Sequence, residues 1–270
     1  MPVSHSLDKT ANIAFQIELK NFKTYSTCYF ASISLGICKI SVIVPTLNEE
    51  KYIHKCLYSL KSQEFEGGYE VIVVDGGSFD RTMEVAEPLA DKTVLFPKAP
   101  VGAARNLGAK IAKGGIVAFI DADTVASEQW LNNIQEAFAS FDRPIGVTGP
   151  TLTYEGGKLD RLAYKIATEW IQKFSLLMGI PHVAGFNCAY LKEPFLKCGG
   201  FDENKRLSED LVLSLKMRRK GRIIYNKNVL AYTSLRRVKH YGYPYLLIFY
   251  LINDIFFFVT NRTLSYHPIR

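Results

Sequence analysis

Short apolar runs alternate with amphipathic stretches through the first half of the chain. The runs lie at 40–44 (ISVIV), 70–74 (EVIVV), 93–96 and 116–120 (IVAFI), and helical patterns separate them. Strands that are apolar along their whole length are typical of a parallel sheet covered by helices on both faces. The pattern therefore predicts an α/β fold with a mostly parallel central sheet.

The second half continues this alternation less regularly. It contains predicted strands at 145–149, 185–191, 222–225 and 229–233, and predicted helices at 159–178 and 208–220. We find no repeat and no Pro- or Gly-rich linker that would divide this region. We therefore expect one domain at 39–237, preceded by an appendage at 1–38 of unassigned order and followed by a hydrophobic segment at 238–270.

Polar residues follow three of the predicted strands directly. Pro45, Asp75 and Asp121 each stand at the carboxyl end of an apolar run. Open α/β sheets bind their ligands beyond those ends. The sequence thus predicts a single polar rim.

The strongest element of this rim is Asp121-Ala122-Asp123. Side chains two residues apart on an extended chain point the same way, so both carboxylates can address one site. Such oxygen ligands suit Mg²⁺ or Mn²⁺, which keep substrate phosphates among their partners. The alternative is a solvated turn whose aspartates cap a helix starting near Ser127.

A second element follows the strand at 70–74. Asp75 could accept hydrogen bonds from a nucleobase, and Gly77 allows a close backbone approach. Ser78 could cap the next helix and direct its amides at a phosphate. The alternative is a plain strand–turn–helix connection, and the dinucleotide fingerprint GxGxxG is absent here.

Charged residues at predicted helix starts add further candidates. Asn48 and the acids after it can be a helix cap, which leaves Glu50 able to touch a ribose. Arg105 could pair with a diphosphate or be a solvated helix charge. Ser208 is a candidate N-cap, and Glu209 and Asp210 lie in the first helical turn after it, where an ionised carboxylate could be a general base, although acids are common there.

The composition indicates which classes of ligand the protein can bind. The formal net charge is +7 and the pI about 9.0, which favours anionic ligands. No recognition helix, zinc finger or stacking motif points to nucleic acid. The five cysteines form no CxxC pair, so we expect reduced thiols rather than a zinc site or a disulfide framework.

Taken together, the motifs resemble those of the family 2 inverting glycosyltransferases, which have the GT-A fold. The matching segments, in the family's order, are VIVPTLNEE (42–50), VVDGGSFDRT (73–82), GAARNLG (102–108), FIDADT (119–124), GGFDE (199–203) and SEDLVLSLKMRRKG (208–221). The resemblance implies a Rossmann-like nucleotide-binding half, an acceptor-binding half and a C-terminal hydrophobic helix.

The resemblance also implies roles for individual residues. Asp210 would be the catalytic base, Asp123 the more direct ligand of a Mg²⁺ or Mn²⁺ ion, and Asp121 its neighbour at the diphosphate. Asp202 and Glu209 would lie on the acceptor side. The residues implied at the donor, a UDP- or GDP-sugar, are Pro45, Thr46, Glu50, Asp75, Gly77, Ser78, Arg105, Asp121 and, from a Thr-Ser-x-Arg-Arg element, Arg236 and Arg237.

Two other functions compete with sugar transfer. A nucleotidyltransferase would show a glycine-rich loop with a basic residue after the first strand, where this chain has PTLNEE. A catalytically silent nucleotide-sugar-binding protein would not need Asp123 and Asp210 together. Donor hydrolysis would separate this second alternative from an enzyme.

The segment 243–260 (YPYLLIFYLINDIFFFVT) is nearly long enough to span a bilayer, but Asn253 and Asp254 oppose insertion. Basic residues precede it, including Arg236, Arg237 and Lys239. We expect an element at the membrane surface, with a glycan or lipid-linked acceptor and a location at the cytoplasmic face of the membrane. The alternatives are a helix buried on the domain, a dimer interface and a true span.

Overall fold

A computed structural model describes residues 39–177, 183–205, 207–260 and 264. The expectations for 1–38, including Cys28 and Cys38, lie outside these residues. Among the described cysteines, Cys56, Cys188 and Cys198 are free thiols.

The strands of the described region form two sheets. In chain order they are β1 (Ile40–Thr46), β2 (Tyr69–Asp75), β3 (Lys92–Leu95), β4 (Ile116–Ile120), β5 (Thr124–Ala126), β6 (Gly146–Thr148), β7 (Thr151–Thr153), β8 (Asn187–Leu191), β9 (Ile223–Tyr225) and β10 (Ala231–Thr233).

The larger sheet has the order β3-β2-β1-β4-β8-β6-β9. Its neighbours pair in parallel except at β8, which runs antiparallel to both β4 and β6. Every residue of β1 and β4 is buried, as expected for strands covered on both faces. The predicted mostly parallel α/β sheet is confirmed, with one reversed strand.

Helices flank this sheet on the described part of the chain. They are α1 (Ile53–Lys61), α2 (Thr82–Ala86), α3 (Val101–Ile111), α4 (Trp130–Ala139), α5 (Lys158–Leu177), α6 (Lys192–Lys197), α7 (Glu209–Arg218), α8 (Arg236–Tyr241) and α9 (Tyr243–Thr260).

Helix α3 packs very closely on β1. A Cβ atom added at Gly108 would lie 2.5 Å from Cγ2 of Ile43. Only glycine fits this contact without displacing the Ile43 side chain. The contact fixes α3, which carries Arg105, against the central sheet.

Three predicted helix caps are wrong. Asn48 has a φ of 56°, and a turn through Glu49 precedes α1, whose first residue is Ile53. The Ser78 hydroxyl binds Asp75 rather than α2, which begins at Thr82. Ser208 precedes α7 with a φ of 57° and makes no capping hydrogen bond.

The segment after Asp123 is a strand, not the start of a helix. Strand β5 belongs to the small sheet β5-β10-β7, and α4 begins only at Trp130. Strand β10 pairs with β5, and the Ser234 amide donates to the Asp123 carbonyl at 3.2 Å. Strand β10 therefore brings Arg236, which follows it in the chain, next to Asp123 at the rim.

Helix α9 packs one face on the domain. Asn253 is fully buried, and its amide nitrogen donates to the Ser208 hydroxyl at 2.7 Å. Leu246 and Phe257 are also buried. Within the described residues, no helix combines the length and the apolar character that a bilayer span requires.

Candidate active site

Asp121 stands at one end of a buried ion-pair chain. Arg105 donates from Nη2 to Oδ1 of Asp121 at 2.7 Å and from Nη1 to Oε1 of Glu209 at 2.8 Å. The Arg105 side chain is 3% exposed, and its guanidinium lies over the Phe201 ring. Arg105 therefore links the end of β4 to the start of α7.

Asp123 belongs to a second chain of the same kind. Nη2 of Arg236 lies 2.9 Å from Oδ2 of Asp123, and the same guanidinium donates to both oxygens of Glu49 at 2.8 and 2.7 Å. Tyr52 packs its ring against this guanidinium. Each aspartate of the motif is thus joined by an arginine to a glutamate.

Burial shifts the pKa values of the two carboxyl groups in this second ion-pair chain. Burial raises the pKa of Asp123, Arg236 opposes this shift, and Asp121 adds to it. Burial likewise raises the pKa of Glu49 against the effect of Arg236. Both shifts are upward, so Arg236 does not fully offset the burial of these two carboxylates.

Asp210 is half-buried beside the first chain. Its Oδ2 accepts a hydrogen bond from the Gly185 amide at 3.0 Å, and Oδ1 accepts from the Leu211 amide at 2.8 Å. Burial and the neighbouring Asp210 raise the pKa of Glu209, and Arg105 opposes them. The two adjacent acids differ in role: Glu209 binds Arg105, whereas backbone amides hold Asp210.

Gly185 is a site residue that the sequence analysis missed. Its amide binds Asp210, and a Cβ atom at this position would lie 2.8 Å from Nη1 of Arg105. One glycine therefore contacts both the candidate base and the linking arginine. It lies outside the recognised motifs, so only the tertiary structure reveals it.

The loops after β1 and β2 brace each other. The Asn48 amide donates to the Ser78 hydroxyl at 2.8 Å, and the Phe79 amide donates to the Asn48 side chain at 3.1 Å. The Arg81 amide donates to a Glu50 carboxylate oxygen at 3.1 Å. The two predicted nucleoside-binding loops are therefore adjacent.

Asp75 shapes one of these loops from inside. It is fully buried, and its carboxylate accepts hydrogen bonds from the amides of Gly77 and Ser78 and from the Ser78 hydroxyl. Gly77 has a φ of 97°, which favours glycine. Its role at the nucleobase stays a prediction, because these internal bonds occupy both oxygens.

The other predicted residues lie around the same rim. Pro45 and Thr46 are buried at the end of β1, and the Thr46 carbonyl accepts from the Gly76 amide at 2.8 Å. The Asp202 carboxylate accepts a hydrogen bond from the Asn204 amide. The Asn106 side chain of α3 donates to the Phe201 carbonyl and so holds this loop against α3.

Comparison with known proteins decides the family. A family model described as "Glycosyl transferase family 2" matches residues 41–199. The chain belongs to this family.

A curated relative of this chain comes from Methanococcus voltae. It is named dolichyl N-acetyl-alpha-D-glucosaminyl phosphate 3-beta-D-2,3-diacetamido-2,3-dideoxy-beta-D-glucuronosyltransferase, and it is 29% identical over 185 residues. The match covers 64% of this chain and 56% of the relative. The chain covers smaller shares of other curated relatives, down to 16%.

Two solved structures share the fold. The Staphylococcus aureus protein TarS (1–349), in complex with UDP-GlcNAc, has a TM-score of 0.58 and 23% identity, covering 73% of this chain and 59% of its own. The mannosyltransferase PcManGT from Pyrobaculum calidifontis, in complex with GDP-Man and Mn²⁺, has a TM-score of 0.62 and 19% identity. This match covers 94% of our chain and 77% of PcManGT. The fold is therefore GT-A-like.

The donor set at the rim fits a divalent cation that shares its coordination with a substrate. The described residues contain no group of three His, Cys, Asp or Glu side chains that could hold a metal alone. Asp121 and Asp123 supply the one or two carboxylates with which proteins bind Mg²⁺ or Mn²⁺ beside substrate phosphates. Asp210, Arg236 and Arg237 lie beyond the residues that the family model matches, and the contacts described above place Asp210 and Arg236 at the rim.

Proposed function

We propose that the chain transfers a sugar from a nucleoside-diphosphate sugar to an acceptor hydroxyl or phosphate, with a divalent metal and with inversion. The observation that carries the proposal is the link from Asp121 through Arg105 to Glu209, the neighbour of Asp210. It couples a carboxylate suited to a metal ion at the donor phosphates to the helix that carries a candidate base.

The donor is a UDP- or GDP-sugar. The braced loops after β1 and β2 present Thr46, Glu50, Gly77 and Ser78 at the nucleoside. Support comes from the UDP-GlcNAc and GDP-Man complexes of the two structural neighbours.

Asp123 and Asp121 would hold Mg²⁺ or Mn²⁺ at the donor. When bound, such an ion acts as a Lewis acid on the phosphate oxygens of the leaving group. Arg236 lies 2.9 Å from Asp123, Arg237 follows it in α8, and both add positive charge toward the departing diphosphate. The Mn²⁺ in the PcManGT structure supports this assignment.

Asp210 is the general base. Its two amide hydrogen bonds fix the carboxylate and leave lone pairs for a third partner. The carboxylate takes the proton of the acceptor hydroxyl as that oxygen bonds to the anomeric carbon and the bond to the diphosphate breaks. A single displacement of this kind inverts the anomeric carbon.

The acceptor is lipid-linked, and the protein works at the cytoplasmic face of a membrane. The Methanococcus voltae relative is named for a dolichyl phosphate substrate, which supports a lipid-borne acceptor. Asn253 of α9 binds Ser208 at the start of the helix that carries Asp210, and the basic residues of α8 directly precede α9 in the chain. A catalytically silent nucleotide-sugar-binding protein is the second candidate, since the same rim would bind a donor without turning it over.

Thermal melting with UDP and with GDP, each with and without Mn²⁺, tests the donor site. A ligand at 100 times its Kd stabilises the folded state by about 2.7 kcal/mol. We expect a metal-dependent shift with one nucleotide and its loss in Asp123→Asn. The absence of any shift with both nucleotides would contradict the proposal.

A further inference from the structure

Helix α5 carries two parallel stripes of opposite character. Its exposed apolar side chains are spaced three and four residues apart, at Leu159, Leu162 and Ile166, which are 82%, 53% and 50% exposed. Each follows an exposed basic residue directly, and these are Lys158, Arg161 and Lys165. A helix with an apolar stripe beside a basic stripe is typical of elements that lie in the plane of a membrane interface.

Helix α9 exposes an apolar stripe with the same spacing. Among the described side chains of α9, five large ones are more than half exposed, namely Tyr245 and the aliphatic stripe Ile248, Ile252, Ile255 and Val259. The opposite face contains the buried Leu246, Asn253 and Phe257 and packs on the domain. The exposed stripe is therefore not part of the protein core.

The two helices start side by side. The Tyr243 hydroxyl, at the start of α9, donates to the Asp160 carbonyl in the first turn of α5 at 3.1 Å. Isolated exposed apolar residues are ordinary on protein surfaces, but large contiguous apolar surface usually marks an interaction site.

We propose that the two stripes form one surface that binds an anionic lipid bilayer. We call it the lipid surface and define it by the apolar stripe of α5 (Leu159, Leu162, Ile166), that of α9 (Ile248, Ile252, Ile255, Val259) and the basic stripe Lys158, Arg161 and Lys165. The proposal extends the expected membrane contact of α9 to a second helix, and it rests on the proposed function only for its choice of a lipid-linked acceptor.

Charge distinguishes a bilayer from a second copy of this chain. A symmetric contact between two copies of α5 would bring Lys158, Arg161 and Lys165 of both chains close together, and like charges repel. Acidic headgroups instead pair with such a stripe while the apolar side chains enter the acyl boundary.

The lipid surface also lies near the candidate base. Asn253 of α9 binds Ser208, the residue before Glu209 and Asp210. The Thr168 hydroxyl of α5 donates to the Thr151 carbonyl in β7, and β7 pairs with β10, which leads to Arg236. A bilayer at this surface would therefore lie across α9 from the start of α7, the helix that carries Asp210.

Flotation of the full-length protein with vesicles tests the proposal. Vesicles with acidic lipid are compared with purely zwitterionic ones, for wild type, Leu162→Glu/Ile166→Glu in α5 and Ile252→Glu/Ile255→Glu in α9. Phe141→Glu is the matched control, since Phe141 is fully exposed outside both helices. We expect each double variant to lose at least tenfold in vesicle affinity and the control to bind as wild type.

Charge is tested separately. Replacing Lys158, Arg161 and Lys165 with Gln should weaken binding to acidic vesicles about fivefold per residue. The exposed basic residues Arg218, Arg219 and Lys220, changed to Gln, are the control and should have little effect. Thermal shifts with nucleotide and Mn²⁺ on the same samples report folding and the donor site.

The outcomes separate this proposal from the proposed function. Self-association of the same variants is measured without vesicles. The proposal is overturned if the α5 variants bind vesicles as wild type does. It is also overturned if both double variants lose self-association but keep vesicle binding. Unchanged nucleotide shifts alongside either result would leave the donor site standing. Vesicle binding without any nucleotide shift would contradict the proposed function and support the lipid surface.

Discussion

Nη2 of Arg236 lies 2.9 Å from Oδ2 of Asp123, and the same guanidinium binds both carboxylate oxygens of Glu49. The arginine therefore neutralises the carboxylate that we assign to the metal. A bound cation and Arg236 would compete for Asp123. Donor binding can relieve this competition, because the diphosphate offers the guanidinium new acceptors.

Arg236→Gln tests this competition. Removing one partner of a buried ion pair leaves its carboxylates uncompensated, at a cost of roughly 3–5 kcal/mol. We expect a lower melting temperature without metal and a larger stabilisation by Mn²⁺ than in wild type. Lys239→Gln, on the same helix but exposed and paired with Glu155, is the control. Equal Mn²⁺ shifts in wild type and Arg236→Gln would show that the guanidinium does not oppose the metal.

Arg105 should matter as a link rather than as a phosphate ligand. Arg105→Met leaves Asp121 and Glu209 without their shared partner, and we expect a loss of roughly 3–5 kcal/mol in the free energy of unfolding. Lys110→Met, at an exposed position of α3, should stay within about 0.5 kcal/mol of wild type. Urea denaturation measures both.

A double-mutant cycle then assigns the loss to the pair. The combined Arg105→Met/Glu209→Gln variant should cost less than the two single changes added together, because each change alone already breaks the bond. Strict additivity would mean that the 2.8 Å contact between these side chains carries no energy.

Gly185→Ala should reduce turnover even under conditions in which the variant is fully folded. The added methyl group would lie 2.8 Å from Nη1 of Arg105, on a residue whose amide holds Asp210. The side chain can shift, so we expect a stability loss of about 1–3 kcal/mol. Displacing the base by about 1 Å can reduce turnover about 100-fold.

Gly157→Ala is the matched control for this change. A Cβ atom there would meet only Oδ2 of Asp160, at 3.8 Å. Measuring turnover and urea stability for both variants separates the two effects. Wild-type turnover in Gly185→Ala would remove Gly185 from the positioning of Asp210.

The sequence predicted the features that depend on local pattern. The apolar runs became β1, β2, β3 and β4, and Asp121 and Asp123 do follow β4 at the rim. Strand propensity and burial on both faces act over a few residues, so a sequence shows them directly. The sequence around Asp121-Ala122-Asp123 is therefore sufficient to predict that this motif follows a buried strand.

Long-range pairing could not be predicted in this way. Arg105 and Arg236 were recognised as basic residues near the rim, but their partners Glu209 and Glu49 come from distant segments. The reversed direction of β8 and the small sheet behind Asp123 depend on chain crossings that no local pattern encodes. The wrong caps at Asn48, Ser78 and Ser208 have the same cause, because each polar side chain or backbone bend serves a tertiary contact instead.

The turnover of Asp210→Asn tests the central claim most directly. Release of nucleoside diphosphate from the UDP- or GDP-sugar that the melts select is measured with Mn²⁺, and donor affinity is measured on the same samples. Glu128→Gln, at an exposed position outside the site, is the control and should turn over as wild type. We predict that Asp210→Asn folds and binds donor as wild type but turns over roughly 100- to 10,000-fold more slowly, as expected for loss of a general base. Turnover near that of wild type in Asp210→Asn, with donor binding intact, would contradict the assignment of Asp210 and with it the proposed mechanism.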